Sequence, residues 1–263
     1  MSVEHGHSRR QVLRTAVAGG VGASVAVTVG MGGPAHAAER RETRAAERRQ
    51  IRVAILLYDG FTALDAIGPY EVLCRVPDVR VTMVAKEAGP VLTDTGELSL
   101  VAERSLRDVD RAEVLLIPGG GEPGAVAMMK DSAVHEWIRR VHRHTLWTTS
   151  VCTGSLILGA AGLLRGVPAT TYWAARPSLK DLGAIDTPGR FVESGKIITA
   201  AGVSAGIDMG LHLAARLSDD RIAQAMQLAI EYDPQPPYDT GSPEKAGGEL
   251  QKLALKLLAD AGR

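Results

Sequence analysis

The sequence predicts an α/β fold: a doubly wound, mostly parallel sheet with helices on both faces and one small β-hairpin, in a single domain. Three observations carry this expectation. Apolar runs without polar alternation, Arg52-Val-Ala-Ile-Leu-Leu57 and Glu113-Val-Leu-Leu-Ile117, have the pattern of strands covered on both faces. Such runs alternate with helix-length segments. Aromatic residues make up only 4% of the chain against 45% hydrophobic residues and 29 glycines, so the core must be mostly Ala, Val, Leu and Ile.

The first 37 residues stand outside this fold. Ser8-Arg-Arg-Gln-Val-Leu-Arg14 precedes a weakly apolar Ala/Gly/Val run, and Ala35-His-Ala37 offers a small-x-small cleavage site. The segment reads as a twin-arginine signal, which implies export and an extracytoplasmic or secreted protein. An uncleaved membrane anchor is the competing reading; the many glycines and scarce leucines of the run, with no stable apolar span, argue against it. Residues 38–50 are dense in Arg and Glu and read as a charged linker. Residues 51–243 form the predicted catalytic domain, and residues 244–263 a C-terminal amphipathic helix. Thirty Lys and Arg balance 30 Asp and Glu, which gives no case for nucleic acid or an anionic membrane surface.

Within the domain, residues 52–57 form the first central strand. A helix follows over residues 63–73, with Asp65 just past the strand's carboxyl end, the edge where open α/β sheets bind ligands. An N-cap role would explain this aspartate equally well. Residues 79–85 form a second strand and residues 91–100 a hairpin or loop. Residues 113–117 form a third central strand running into Pro118-Gly-Gly-Gly121, where glycines let backbone N–H groups approach a ligand. No G-x-G-x-x-G follows, so no dinucleotide site is predicted. Residues 131–144 form a helix with Val134, Trp137, Ile138 and Val141 on one face. His135, His142 and His144 on that helix read as solvated, and no His/Cys cluster has metal-ligand spacing.

Residues 146–151 then form a strand and residues 156–164 a helix, with Cys152-Thr-Gly-Ser155 between them. A small-residue turn from strand to helix holds a nucleophile out of the chain, as in the Ser elbow of hydrolases. The helix N-terminus beneath it should lower the thiol pKa. A buried small hydrophobe is the bland alternative, and a disulfide to Cys74 the structural one. Beyond lie a short strand at residues 168–172, a short helix or loop at residues 173–182, a hairpin around Ser194-Gly195, helices over residues 207–217 and from residue 218 to 232, and a proline-rich arm over residues 234–243.

Three motifs together identify a family resemblance: Leu64-Asp-Ala-Ile-Gly-Pro69, Ile117-Pro-Gly-Gly120 and Ser150-Val-Cys-Thr-Gly154. The chain resembles the ThiJ/PfpI superfamily, whose sheet is flavodoxin-like and related to class I glutamine amidotransferases. The block around Cys152 and the tail with Glu231-Tyr232 and Pro236-Pro-Tyr238 look most like its isocyanide hydratase branch. Many amidotransferase-like relatives place a His twenty residues past the Cys; here that position is Tyr172.

The resemblance implies hydration of an isocyanide to an N-substituted formamide through a thioimidate on Cys152. Asp65 would be the general acid and base, Thr153 would orient acid or water, and the N–H groups of Gly120, Gly121 and Thr153 would stabilise charge. Ile67, Tyr172 and Trp173 would line the substrate pocket, although the two aromatics serve equally well as core. The resemblance further implies no metal or organic cofactor, a small-molecule substrate and a homodimer. A glyoxalase- or deglycase-like enzyme acting on α-oxoaldehydes, or a non-catalytic cysteine redox sensor, are the alternatives.

Overall fold

The computed structural model describes residues 50–262, so the twin-arginine signal and nearly all of the charged linker lie outside the described residues. Strand β1 (Ile51–Leu56) enters the sheet first, and its last four residues are buried. Helix α1 (Ala63–Leu73) follows, then β2 (Val79–Ala85), a two-stranded hairpin of β3 (Gly89–Leu92) and β4 (Ser99–Ala102), the two-residue edge strand β5 (Arg104–Ser105), and β6 (Val114–Ile117). After β6 come α2 (Glu122–Lys130), α3 (Ser132–His142), β7 (Trp147–Ser150) and α4 (Gly154–Ala160). The chain continues through β8 (Pro168–Ala169), a 3₁₀ turn at Trp173–Ala175, α5 (Arg176–Asp181), β9 (Ile185–Asp186), β10 (Phe191–Ser194) and β11 (Ile197–Ala200). It ends with α6 (Ala205–Leu217), α7 (Asp220–Ala229) and α8 (Gly248–Ala261).

The main sheet has seven strands in the order β10-β11-β7-β6-β1-β2-β5. Every pairing is parallel except the β10–β11 hairpin. Taken alone, the five long parallel strands run in flavodoxin order, 2-1-3-4-5. The order reverses between β1 and β6. A crevice therefore opens where their carboxyl ends splay apart, and right-handed crossovers place helices on both faces. On one face α1 packs on α6 and α6 on α7; α4 packs with α2, α3 and α5.

The core is aliphatic, as composition demanded. Val53–Leu57 and Val114–Ile117 are all buried, and Trp137, the largest fully buried side chain, has its indole N–H bonded to the Val109 carbonyl at 2.8 Å. Val134, Trp137, Ile138 and Val141 form the buried face of α3 as expected. The His readings on that helix need correcting. His142 is half-buried with Nδ1 2.8 Å from Thr148 Oγ1, and His135 Nε2 lies 2.9 Å from the Met128 carbonyl; only His144 is exposed.

Helix α2 had no counterpart in the sequence reading. Its start is marked by Gly121 as N-cap and Pro123 in its first turn, a signal masked by the glycine run before it. Helix α4 stops at Ala160 rather than 164, because the chain turns at Gly162 with φ +83°. Likewise α7 ends at Ala229, short of Tyr232. Helix α8 forms where predicted, but it buries no residue, and Leu250, Leu253, Leu255, Leu257 and Leu258 are all exposed. Among the described residues no helix is long and apolar enough to cross a membrane.

Candidate active site

The crevice at the β1/β6 reversal gathers three chain segments that are far apart in sequence. Asp65 comes from the first turn of α1, the glycine loop from the end of β6, and Cys152 from the end of β7. Cys152 has φ +56°, a conformation an L-residue adopts only under strong constraint. That constraint is visible. Its N–H is shared between the carbonyls of Ala200 (3.2 Å) and Ala201 (2.8 Å), and its carbonyl accepts from Thr171 Oγ1 (2.9 Å) and Ser155 Oγ (3.3 Å). The elbow anticipated from sequence is therefore pinned from both sides. Both cysteines are free thiols, Cys74 half-buried and Cys152 buried, so the Cys74–Cys152 disulfide does not form.

Asp65 does not cap its helix. Thr62 is the N-cap residue of α1, and the Asp65 carboxylate instead accepts the Gly119 N–H on Oδ2 at 2.8 Å. Asp65 is fully buried, and its Oδ1 has no hydrogen-bond partner. The Cys152 thiol lies within interaction range of this carboxyl but does not close an aligned bond on Oδ1. Burial first of all, opposed by the Gly119 N–H and reinforced by the charge of Asp94, lifts the carboxyl to about 7. An unpartnered oxygen on a buried acid that titrates near neutrality suits a group that gives and takes a proton.

The thiol departs from expectation. Its pKa is pushed well up, by burial first and by the Asp65 charge next, and the N–H groups of Thr153 and Val203 that point at sulfur offset this only in part. A seven-residue helix beginning at Gly154 does not outweigh the loss of water around a buried sulfur. The thiol and carboxyl thus form a coupled pair that holds on to one proton.

Two of the expected charge-stabilising donors are engaged elsewhere. The Gly120 N–H donates to Thr153 Oγ1 (3.0 Å), and the Gly121 N–H donates to the Gly60 carbonyl (3.0 Å). The donors at the sulfur are Thr153 N–H, which sequence analysis named, and Val203 N–H, which it did not. The Thr153 hydroxyl, bonded to both the N–H and the carbonyl of Gly120 (3.2 Å to the latter), ties the elbow to the glycine loop. Gly119 is where the parts converge. A Cβ there would sit 2.6 Å from Thr153 N and Oγ1 and 2.8 Å from Asp65 Oδ2.

The predicted pocket wall divides. Ile67 faces away from the thiol. Two residues past Asp65 on a helix is a rotation of about 200°, and Ile67 lines a separate cleft of about 470 Å³ with Leu64, Ile207 and Tyr232. Tyr172 does lie near the sulfur: burial first, then the Cys152 charge, raises its phenol. Trp173 packs against it, ring centroids 5.4 Å apart. Sequence reading also missed Asp94, from the β3–β4 turn, whose carboxylate accepts from Thr62 Oγ1 at 2.6 Å and acts electrostatically on Asp65 and Cys152. Nothing local marked it, since its role depends on the hairpin folding over the α1 N-terminus. Among the described residues no group of three or more His, Cys, Asp or Glu is placed to hold a metal ion.

Comparison with known proteins places these features in context. The model of the DJ-1/PfpI family matches residues 51–216. The chain is 43% identical over 209 residues to an isonitrile hydratase of Pseudomonas putida, covering 80% of this chain and 90% of the relative. It is 30% identical to a helix-turn-helix-type transcriptional regulator of Pseudomonas aeruginosa, over 68% of this chain and 53% of that one. Among solved structures, a ThiJ/PfpI family protein of Pseudomonas syringae superposes with a TM-score of 0.76 at 37% identity, over 81% of this chain and 88% of that one.

Proposed function

Because the chain belongs to the DJ-1/PfpI family, we propose that it hydrates an isocyanide to an N-substituted formamide, with Cys152 as nucleophile and Asp65 as proton carrier. The observation that carries this reading is the buried Asp65–Cys152 pair, with one carboxyl oxygen unpartnered and, among the described residues, no histidine acting on either group. An isocyanide carbon must accept a nucleophile and a proton at the same atom. One acid next to one sulfur is what that step needs. An amide leaving group would call for a second proton carrier, and Tyr172 occupies the position where many amidotransferase-like relatives place a histidine. The 43% identity to a protein named isonitrile hydratase supports the same choice of substrate class.

The steps follow from the pair sharing one proton. As sulfur adds to the terminal carbon, Asp65 takes the thiol proton and delivers it to that carbon as carbanion character develops, giving a thioimidate on Cys152. Asp65, again a carboxylate, then takes a proton from water as the water oxygen adds to the same carbon. That proton passes to nitrogen. Collapse breaks the carbon–sulfur bond, releases the formamide, and leaves sulfur to recover the second water proton. The N–H groups of Thr153 and Val203 favour negative charge on sulfur as it arrives and leaves.

Formamide release from cyclohexyl isocyanide by the purified protein tests the proposal, with methylglyoxal as the rival substrate. Turnover of the isocyanide that disappears in Cys152→Ser is expected. Activity on methylglyoxal alone, or full activity in Asp65→Asn, would overturn it.

A further inference from the structure

Tyr58 takes no part in the steps above, yet its phenol sits among the groups that do. It lies just past β1, is 4% exposed, and its hydroxyl donates to the Pro118 carbonyl at 3.1 Å. Burying a phenol hydroxyl costs free energy that a phenylalanine of nearly the same shape would not incur. The bond to Pro118 is therefore what the hydroxyl adds to the fold. The fit around it is tight: a Cβ on Gly120 would lie 2.9 Å from the phenol oxygen.

The carbonyl of Pro118 and the N–H of Gly119 belong to one peptide group. That group is planar and trans, so its oxygen and its hydrogen point in opposite directions. Tyr58 holds the oxygen end, and the Asp65 carboxylate accepts from the hydrogen end on Oδ2 at 2.8 Å. Phenol, peptide and carboxyl thus form one chain of hydrogen bonds. Each bond in such a chain polarises the next, a strengthening of about 10–30% per bond. The Gly119 N–H at the end of this chain is the group that opposes burial at Asp65.

We propose that Tyr58 is a positioning residue for the proton carrier: through the Pro118–Gly119 peptide it fixes Asp65 Oδ2 as an acceptor and assigns the transferable proton to Oδ1. An oxygen that already accepts an N–H is the weaker base of the two, and Oδ1 has no hydrogen-bond partner. The phenol remains a donor throughout the neutral range. Burial first, then the charges of Asp65, Cys152 and Asp94, raises it well above its ordinary value, so the hydroxyl keeps its hydrogen. The titrating groups that act on Asp65 come from separate elements: Cys152 from the elbow, Asp94 from the β3–β4 turn, and Tyr58 from the end of β1. The inference rests on the reading of Asp65 as proton carrier given above, whatever the substrate.

The test reads the carboxyl on the full chain without turnover. The infrared band of the protonated Asp65 carboxyl, identified by its loss in Asp65→Asn, is titrated across the neutral range in wild type and two variants. Tyr58→Phe removes the phenol hydroxyl. Incorporation of 3-fluorotyrosine at residue 58 keeps the hydroxyl and makes it a stronger donor. The Tyr58→Phe midpoint is expected about 0.3–0.6 of a pH unit above wild type, because the N–H that favours the carboxylate is weakened. The 3-fluorotyrosine midpoint is expected below wild type. The Gly119 amide proton resonance should move in opposite directions in the two proteins, which loosened packing alone does not produce. A Tyr58→Phe midpoint at or below wild type, or a 3-fluorotyrosine midpoint at or above it, would overturn the relay. If Tyr58→Phe does not fold, the sign of the 3-fluorotyrosine shift decides alone. Absence of isocyanide turnover in the wild type, with the opposed shifts present, would instead overturn the hydration reading and keep the relay.

Discussion

At the scale of single residues, the proposed hydration predicts that the pair of Asp65 and Cys152 sets both the pH profile and part of the stability. Just above neutrality the pair carries one proton in total. It gains a second as pH falls through about 7, where the carboxyl titrates. It loses its last only well above the ordinary thiol range, since burial and the neighbouring charge push Cys152 up. The kcat/KM for hydration is therefore expected to fall about tenfold per pH unit below 7 and to be level from about 7.5 to 9; a profile flat from pH 5 to 9 would contradict the shared-proton assignment. Asp94→Asn removes a charge that raises the Asp65 carboxyl, so its acid limb should move to lower pH, a shift that a purely structural role would not produce.

Stability follows from the same shift. Unfolded, Asp65 ionises near 3.8; folded, near 7. Between those values the native state binds the extra proton, so stability drops as pH rises through the window and levels off above it. The magnitude is about 4 kcal/mol at 1.36 kcal/mol per unit. Asp65→Asn keeps an acceptor for the Gly119 N–H and carries no charge. Denaturant melts should show it close to wild type at pH 4 and more stable by a few kcal/mol at pH 8, while hydration is lost.

At the scale of elements, the site is the meeting of the β7–α4 elbow with the loop after β6, and that meeting leaves no room for side chains. A Cβ on Gly154 would lie 2.2 Å from the Ile117 carbonyl oxygen, a backbone atom that cannot step aside. Gly154→Ala should destabilise by about 1–3 kcal/mol or more and abolish hydration, read from thermal melts and the formamide assay. The elbow, β1, β6 and the β10–β11 hairpin were legible in the sequence, because each is declared locally by an unbroken apolar run or a Ser-Gly turn. The donors were not. Whether Gly120 N–H is free depends on where the Thr153 hydroxyl lands, 33 residues away, and Val203 reaches the sulfur only because β11 lies next to β7. Glycine content after a strand signals close approach without saying which N–H is left over. The thiol was misjudged for a related reason: a helix start is visible in sequence, whereas the completeness of burial around one sulfur is not.

At the scale of the whole molecule, the strand order decides where chemistry sits, and the packing decides what can leave without unfolding it. Reversal between β1 and β6 makes one crevice, so residues 65, 119 and 152 converge although nothing in their spacing requires it. Past α7 the chain contributes no buried residue. Residues 234–241 are all exposed, and α8 is held mainly by Gln251, Ala254 and the neighbourhood of Trp173. Local opening in such a segment costs far less than global unfolding. Among the described residues, limited trypsin digestion should therefore cut first at Lys245, Lys252 or Lys256, with mass spectrometry showing a stable fragment that retains the sheet. A first cut in the β3–β4 hairpin would place the weakest region elsewhere. Because the C-terminal helix buries no residue, the clipped protein should keep the Asp65–Cys152 pair and its acid limb. Chemistry would then reside in the sheet, and a clipped protein that lost its acid limb would show that the tail is needed to hold the pair in place.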